Sequence, residues 1–302
     1  MTLTARSPRS GPGTLTAPAP AKINLTLNVL GPRPDGYHEI RSLVIGVDFA
    51  DQITVTSAAP DVRALTSDDP SLPVDERNLI QQAATLLARQ AGVRAGWRIA
   101  LAKRIPIGGG LGGGSSDAAT TLRLLNDLWA CGCSSAELAA LGAQLGSDVP
   151  LFFALPAAVI EGRGERVRPV KLAWSGWITL ILGGWPVATR DVYQAWCAGA
   201  GAAPDPHAAE AAIVHAQAAD QISPWLVNDL ESAVMRVCPP MSSLQRSASA
   251  LTSSSVRVSG AGSTLFALFD TQEQAQALAD TVRARLGVPA AHVVRTLDHQ
   301  TP

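Results

Sequence analysis

An alternating pattern near the start of the chain predicts a β-strand over residues 22–29. Every second residue is hydrophobic, namely Ile23, Leu25, Leu27 and Val29. The residues between them are polar, namely Lys22, Asn24, Thr26 and Asn28. A period of two is typical of a half-buried strand, so we expect the hydrophobic face to enter a core and the polar face to point outward.

Similar patterns predict strands and helices along the rest of the chain. Strands are expected at 37–47, 53–57, 97–102, 158–160, 166–170, 177–182, 255–258, 265–269 and 291–296. Helices are expected at 78–90, 118–129, 134–145, 189–196, 207–220, 224–237, 239–251 and 271–286. Segment 31–36 has turn composition and segment 58–75 has loop composition. Because strands and helices are mixed without regular βα alternation, the predicted fold class is α+β.

A glycine-rich segment separates the strand at 97–102 from the helix at 118–129. Residues 105–120 read I-P-I-G-G-G-L-G-G-G-S-S-D-A-A-T, and Ser115, Ser116 and Asp117 form a helix N-cap signal. Glycines let backbone N–H groups approach a ligand closely, and a helix amino terminus adds partial positive charge. The segment therefore predicts a binding loop for a polyphosphate.

Three other interpretations of this loop are weaker. A G-x-G-x-x-G pattern begins at Gly108, but a dinucleotide site needs an acidic residue ending the next strand, and Asp127 and Glu137 lie in helical segments. The Walker pattern needs Lys and then Ser or Thr after its last glycine, where this chain has Ser-Ser. A flexible hinge is disfavoured by Pro106 and by the ordered elements on both sides.

Three short motifs resemble those of the GHMP kinases, a superfamily of small-molecule kinases that includes galactokinase, homoserine kinase and mevalonate kinase. The motifs are P-A-K-I-N-L at 20–25, P-I-G-G-G-L-G-G-G-S-S-D at 106–117 and S-G-A-G-S-T at 259–264. A further element, L-G-S-D-V-P at 145–150, also resembles the superfamily. The resemblance covers residues 18–296 and implies a two-domain GHMP-kinase-like fold with the active-site cleft between the domains.

The resemblance implies roles for individual residues of these motifs. Lys22 and Asp148 would be catalytic, with Asp148 as the base facing the acceptor hydroxyl and the Lys22 ammonium keeping that carboxylate ionised. The ATP-binding residues would be Pro106, Ile107, Gly108, Gly109, Gly110, Leu111, Gly112, Gly113, Gly114, Ser115, Ser116, Asn78 and Lys103. Mg²⁺ is expected beside ATP because it neutralises the triphosphate, and its ligands are left unassigned.

The triple glycines on both sides of Leu111 narrow the resemblance to the 4-diphosphocytidyl-2-C-methyl-D-erythritol kinase family. The sequence Asp35-Gly36-Tyr37-His38 resembles the motif with which that family holds cytosine. The implied reaction transfers the ATP γ-phosphoryl group to the 2-hydroxyl of 4-(cytidine 5′-diphospho)-2-C-methyl-D-erythritol, in the non-mevalonate route to isoprenoids. The implied substrate-binding residues are Asn24, Tyr37, His38, Thr189 and Tyr193. Aromatic rings from two domains are expected to sandwich the base, and hydrogen bonds to select cytosine.

Two alternative functions follow from the same motifs. One is a kinase of the superfamily with a different acceptor, which the sequence Asp35-Gly36-Tyr37-His38 disfavours. The other is a non-catalytic nucleotide-binding regulator. Retention of both Lys22 and Asp148 disfavours the regulator, because a protein that only binds needs no base.

Length and composition set the remaining expectations. With 302 residues and 47% hydrophobic residues, the chain can form two domains. We expect a disordered tail at 1–17, an amino-terminal ATP-binding domain at 18–170 and a carboxy-terminal domain at 171–302. The net charge of −1 disfavours a nucleic-acid or membrane-surface partner, and the resemblance to small-molecule kinases implies a small-molecule substrate. Cys131, Cys133, Cys197 and Cys238 lack zinc spacing, which favours reduced thiols in a cytoplasmic protein. The expected assembly is a monomer or a homodimer.

Overall fold

The computed structural model describes residues 13–196 and 205–298. Up to residue 153 the elements are β1 (Thr14–Asn24), β2 (Thr26–Pro32), β3 (His38–Ala58), β4 (Arg63–Ser67), α1 (Leu79–Ala91), β5 (Gly96–Ala102), α2 (Gly113–Leu128), α3 (Ser135–Gly142) and a 3₁₀ helix (Pro150–Phe153). Then follow β6 (Ala157–Gly162), β7 (Arg166–Pro169), β8 (Trp177–Leu182), α4 (Thr189–Ala195), α5 (Pro206–His215), α6 (Ala219–Ile222) and a 3₁₀ helix (Ser223–Trp225). The last elements are β9 (Val227–Asn228), α7 (Glu231–Val237), α8 (Pro239–Ser249), β10 (Arg257–Val258), β11 (Thr264–Phe269), α9 (Gln272–Leu286) and β12 (Ala290–Arg295). The mixture of helices and strands confirms the α+β class.

The chain forms two compact units, and the division does not coincide with the expected boundary near residue 170. The first unit contains residues 1–21, 50–105 and 112–153. The second contains residues 22–49, 106–111 and 154–302. A single cut cannot separate them because β3 contributes its first half to the second unit and its second half to the first.

In the first unit, helices α1 and α2 pack against each other, and a small sheet provides the second layer. The second half of β3 pairs antiparallel with β5, and β4 pairs parallel with β5. The apolar side chains of α1 that are buried include Ile80 and Leu87, and those of α2 include Leu122 and Leu125. Helix α1 is capped by Asn78 and ends at Gly92 in the left-handed conformation.

In the second unit, β8 lies inside a four-stranded antiparallel sheet with the order β10-β11-β8-β12. Helix α9 packs on this sheet. A separate group of strands forms around the first half of β3, which pairs antiparallel with β2 and with β6, while β7 pairs with β6. The strands predicted at 97–102, 177–182 and 265–269 are confirmed to within one residue.

We expect the polar face of the strand predicted at 22–29 to be exposed, but in the structure this face is buried. The segment forms two strands that break at Leu25, and its polar residues Lys22, Asn24, Thr26 and Asn28 are each 3–5% exposed. The prediction of a half-buried strand was therefore wrong. Buried polar groups need hydrogen-bond partners, and these come from distant parts of the chain.

Other differences concern segments whose local pattern was ambiguous. The strands predicted at 37–47 and 53–57 are one continuous strand, β3, and the predicted loop at 58–75 contains β4. The helix predicted at 224–237 is a 3₁₀ turn, a two-residue strand and then α7. The predicted helix at 207–220 is divided into α5 and α6.

The expectation of a disordered tail at 1–17 is contradicted where the structure describes that segment. Strand β1 begins at Thr14, whose hydroxyl lies 3.0 Å from that of Thr56. The Thr16 and Thr54 hydroxyls are 2.9 Å apart. Alternate threonines thus bind the second half of β3 and order the segment. Residues 1–12, 197–204 and 299–302, including Cys197, lie outside the described residues.

Candidate active site

The glycine-rich loop leads directly into α2, but the helix starts earlier than predicted. Its N-cap is Gly112, with φ of +73°, so Ser115, Ser116 and Asp117 lie inside the helix and do not cap it. The predicted cap was therefore wrong. Glycine at Gly112 is required by its left-handed conformation, which L side chains rarely adopt. Ser116 donates its backbone N–H to the Gly112 carbonyl at 2.9 Å, which is the first helical turn.

The amino-terminal turn of α2 has the properties of an anion site. Within the described chain, no side chain caps the turn and no acidic residue lies in it. A 16-residue helix with uncapped N–H groups presents donors and partial positive charge at this end. Gly114 is exposed, and a Cβ there would meet only Leu79, at 3.8 Å. The backbone at this turn is therefore accessible to a phosphate.

A buried charge cluster lies beside this turn. Lys103 Nζ forms ion pairs with Asp51 and with Asp117, the latter at 3.1 Å. Burial raises the pKa of Asp117 to about 7, with Lys103 opposing that shift and Asp51 adding to it. A Cβ placed on Gly113 would lie 2.9 Å from Lys103 Nζ, so the ammonium touches the first residue of α2. Lys103 was predicted as an ATP contact. Its partners in the structure are the carboxylates of Asp51 and Asp117, and a contact with ATP stays a prediction.

Asn78 was predicted as an ATP-binding residue, near the adenine. In the structure its Oδ1 accepts from the Ile80 N–H at 2.9 Å, and its Nδ2 donates to the Pro73 carbonyl at 2.8 Å. Both ends of the amide therefore stabilise the start of α1. A contact with adenine stays a prediction.

Asp148 lies in the turn that follows α3. Ser134 and Glu137 form a capping box at the start of that helix. After the helix ends, Val149 is fully buried and presses on Gly142, where a Cβ would meet the valine side chain at 2.6 Å. This contact fixes the turn and leaves Asp148 partly exposed beside buried neighbours.

Lys22 and Asn24 form the centre of a buried polar network in the second unit. Lys22 Nζ donates to Asn24 Oδ1 at 2.6 Å and to the Gly110 carbonyl at 2.8 Å. The Lys22 backbone N–H donates to the Leu111 carbonyl at 3.0 Å. The predicted catalytic lysine thus contacts both a predicted substrate residue and the predicted phosphate loop.

The segment 259–264 packs closely on the first half of the glycine loop. Thr264 donates its backbone N–H to the Gly109 carbonyl at 3.2 Å, and Ser259 Oγ donates to the Gly110 carbonyl at 3.1 Å. Gly110 has φ of +75°, and a Cβ there would lie 2.2 Å from the Ser259 carbonyl oxygen. Only glycine fits this contact. In the same loop, Leu111 is buried and Ile107 is 48% exposed.

Two of the predicted cytosine-binding residues contact each other. The His38 and Tyr193 rings are stacked with centroids 5.1 Å apart, and Trp196 meets His38 edge-on at 5.4 Å. Both predicted residues belong to the second unit, so the expectation that aromatic rings from two domains sandwich the base is not met by this pair. Tyr37 is 51% exposed, and the Arg163 guanidinium lies 5.0 Å from its ring centre.

Thr189 was predicted as a substrate contact. Helix α4 begins at Thr189, its N-cap position is Ala188, and no side-chain capping bond forms there within the described residues. Thr189 is exposed, and its substrate contact stays a prediction.

The structure adds polar residues that the sequence did not identify. Asp51 joins the Lys103 cluster, Ser42 joins the Lys22 network, and Trp196 joins the aromatic pair. A local pattern gave no reason to select them, since each acts on a residue far away in sequence. One local signal could have identified Trp196. It lies three residues after Tyr193, on the same face of a predicted helix.

The described residues contain no group of three or more His, Cys, Asp or Glu side chains that could hold a metal ion. Two buried oxygens near the start of α2, Ser116 Oγ and Asp117 Oδ1, have no hydrogen-bond partner there. Cys131, Cys133 and Cys238 are free, and burial raises the pKa of Cys131 to about 11. Over the part of the chain that the structure covers, no helix is both long enough and apolar enough to cross a membrane.

Known proteins resemble this chain in sequence and in structure. The family model described as GHMP kinases N terminal domain matches residues 78–155, and the one described as GHMP kinases C terminal matches residues 209–287. A curated protein of Shouchella clausii (strain KSM-K16), named 4-diphosphocytidyl-2-C-methyl-D-erythritol kinase, is 36% identical over 282 residues. That match covers 92% of this chain and 94% of the relative.

Two solved structures are similar over most of their length. The crystal structure of 4-(cytidine 5'-diphospho)-2C-methyl-D-erythritol kinase is 34% identical with a TM-score of 0.79, covering 93% of this chain and 98% of that one. A homoserine kinase from Cytophaga hutchinsonii shares the fold, with a TM-score of 0.73 and 19% identity over 94% of both chains. The chain belongs to the GHMP kinases and, within them, to the 4-diphosphocytidyl-2-C-methyl-D-erythritol kinase family.

Proposed function

We propose that this kinase transfers the γ-phosphoryl group of ATP to the 2-hydroxyl group of 4-(cytidine 5′-diphospho)-2-C-methyl-D-erythritol. Family membership supports the reaction. The observation in this chain that carries the proposal is the buried Lys22 ammonium, 2.8 Å from the Gly110 carbonyl of the glycine loop. A buried cation beside a phosphate-binding loop suits the stabilisation of phosphoryl charge.

The uncapped start of α2 and the glycines that precede it hold the ATP phosphates. Gly108, Gly110 and Gly112 all have positive φ, which turns the backbone without side chains in the way. Mg²⁺ fits the same region, since the buried Ser116 Oγ and Asp117 Oδ1 are oxygen donors with no partner among the described residues. When bound, the ion neutralises charge on the triphosphate.

Asp148 acts as the general base. It accepts the proton of the 2-hydroxyl as that oxygen forms a bond to the γ-phosphorus, and the bond between the γ-phosphorus and the bridging oxygen breaks, leaving ADP. Lys22 stabilises the negative charge that spreads over the phosphoryl oxygens. Asn24 holds the Lys22 ammonium at 2.6 Å.

Tyr37, His38, Thr189 and Tyr193 bind the cytidine half of the acceptor, and Asn24 contacts the acceptor near Lys22. The aromatic rings offer faces for stacking, and the His38 ring nitrogens offer a donor and an acceptor for a base edge. The substrate is a small molecule, which agrees with a net charge of −1. The proposed setting is the cytoplasm, with the protein as a monomer or homodimer.

Single-turnover rates of Asp148→Asn and Lys22→Met test the two catalytic roles. Loss of a general base typically costs about 10²–10⁴ in rate, and we expect such a loss for Asp148→Asn with substrate affinity retained. Asp127→Asn and Lys171→Met change exposed residues and serve as matched controls. Rates close to the wild type in both test variants would contradict the proposed mechanism.

A further inference from the structure

Ser42 lies at the base of the Lys22 network, although it belongs to none of the motifs identified in the sequence. It is on β3, is fully buried, and contacts two residues of the segment around Lys22. Asn24 Nδ2 donates to Ser42 Oγ at 2.8 Å, and Ser42 Oγ donates its proton to the Thr26 carbonyl. The hydroxyl is therefore used both as an acceptor and as a donor.

These two bonds determine which way the Asn24 amide faces. A serine hydroxyl can donate one hydrogen bond, and here the Thr26 carbonyl accepts it. The oxygen can then only accept from Asn24, which must turn its NH₂ group toward Ser42 and its carbonyl oxygen the other way. The Lys22 ammonium has donors only, and it requires that carbonyl oxygen, at 2.6 Å.

The opposite amide orientation is unfavourable at both ends. It would bring the Asn24 NH₂ group against the Lys22 ammonium, donor against donor. It would also draw the Ser42 proton away from the buried Thr26 carbonyl. A buried polar group left without a partner is costly, so Ser42 selects one orientation of Asn24 and through it one position of Lys22.

We propose that Ser42 is a positioning residue for phosphoryl transfer, acting through the Asn24 amide to hold the Lys22 ammonium. The inference rests on the proposed role of Lys22. A purely structural role is the competing explanation, since the strand breaks at Leu25 and Ser42 bonds the Thr26 carbonyl at the break. A structural role predicts a loss of stability alone, whereas positioning predicts a loss of kcat.

The first test compares Ser42→Ala with Ser42→Thr and Thr179→Val by steady-state kinetics, with ATP varied at a saturating concentration of the cytidyl acceptor. Thr179 is the matched control, because it is fully buried on β8 in the same unit and donates its hydroxyl to the Ala275 carbonyl at 2.7 Å. A small misplacement of catalytic groups can cost on the order of 10²-fold in rate. We expect Ser42→Ala to lower kcat by about 10- to 100-fold with little change in the KM for ATP.

Ser42→Thr keeps the hydroxyl and should restore kcat, and Thr179→Val should lower the melting temperature without lowering kcat. A folded Ser42→Ala with wild-type kcat would overturn the inference. In the Asn24→Ala background, Ser42→Ala should have no further effect on kcat, because its route through the amide is gone. Additive effects of the two substitutions would also overturn it.

A measurement on the wild-type protein covers the case in which Ser42→Ala fails to fold. Nuclear Overhauser effects from the Asn24 side-chain NH₂ protons should reach the Ser42 methylene group and not the Lys22 ε-methylene group, and the reverse pattern would overturn the inference. The kcat of Lys22→Met distinguishes a failure of this inference from a failure of the proposed function. Wild-type kcat in Lys22→Met removes the proposed role of Lys22 and the inference with it. A large loss there, combined with unchanged kcat in Ser42→Ala, removes the inference alone.

Discussion

The rings of His38 and Tyr193 stack on each other with centroids 5.1 Å apart. A base inserted between two rings needs a centroid separation of about 7 Å, twice a van der Waals contact of about 3.5 Å. The two rings must therefore separate before cytosine can lie between them, or the base must stack on an outer face. Either way, we expect both side chains to act on one ligand.

Removal of the Tyr193 ring should weaken acceptor binding more than it slows chemistry. Stacking is worth about 1–3 kcal/mol per base, so we expect Tyr193→Ala to raise the KM for the cytidyl acceptor by about 5- to 150-fold, with a smaller change in kcat. Tyr193→Phe keeps the ring and should stay near the wild type. Steady-state kinetics with the acceptor varied provides the measurement, and an unchanged KM in Tyr193→Ala would remove Tyr193 from the acceptor site.

The close contact at Gly110 predicts a large cost for any side chain there. Gly110→Ala adds a Cβ 2.2 Å from the Ser259 carbonyl oxygen, in a backbone with φ of +75°. Gly132→Ala is the matched control, because Gly132 has φ of +73° and nothing within 4 Å of its Cβ position. Both should lose about 1–2 kcal/mol to backbone strain, and Gly110→Ala about 1–3 kcal/mol more to overpacking. Equal unfolding free energies in urea would contradict the packing of loop 259–264 on Gly110.

The Asp117 carboxyl predicts a pH-dependent stability. Its pKa is raised from 3.8 to about 7, mainly by burial, so between these values the folded protein binds more protons at this site than the unfolded protein. This contribution therefore lowers the unfolding free energy as pH rises from about 4 to 7. Asp117→Asn removes the titration and should flatten the curve.

Urea unfolding at several pH values between 5 and 8 measures this slope. Asp127→Asn, on the exposed face of the same helix, should give the wild-type curve. A wild-type slope in Asp117→Asn would mean that the buried cluster of Asp51, Lys103 and Asp117 does not bind a proton on folding.

The order of the elements around the glycine loop was predicted from the sequence, and the contacts that join distant segments were not. The order of strand β5, glycine loop and helix α2 followed from hydrophobic spacing and the glycine run. The start of α2 was misplaced because Ser-Ser-Asp is an N-cap signal, whereas Gly112 already occupies the cap position. The conformation of the glycine loop, and not the N-cap preference of Ser-Ser-Asp, determines where α2 begins.

The burial of the Lys22 face could not be read from residues 22–29. A period of two shows that two faces differ but does not show what covers the polar one. Its partners are Ser42, Gly110 and Ser259, and the last is 235 residues from Asn24 along the chain. The motifs identified Lys22 and Gly110 separately, while their contact depends on the fold.

The acceptor preference tests the central claim most directly. The values of kcat/KM with ATP should be measured for 4-(cytidine 5′-diphospho)-2-C-methyl-D-erythritol, its uridine analogue, homoserine and mevalonate. We expect efficient turnover of the cytidyl acceptor, a much lower value for the uridyl analogue because unpaired buried groups are costly, and none for homoserine or mevalonate. A higher kcat/KM for homoserine or mevalonate, or equal use of the cytidyl and uridyl acceptors, would contradict the account.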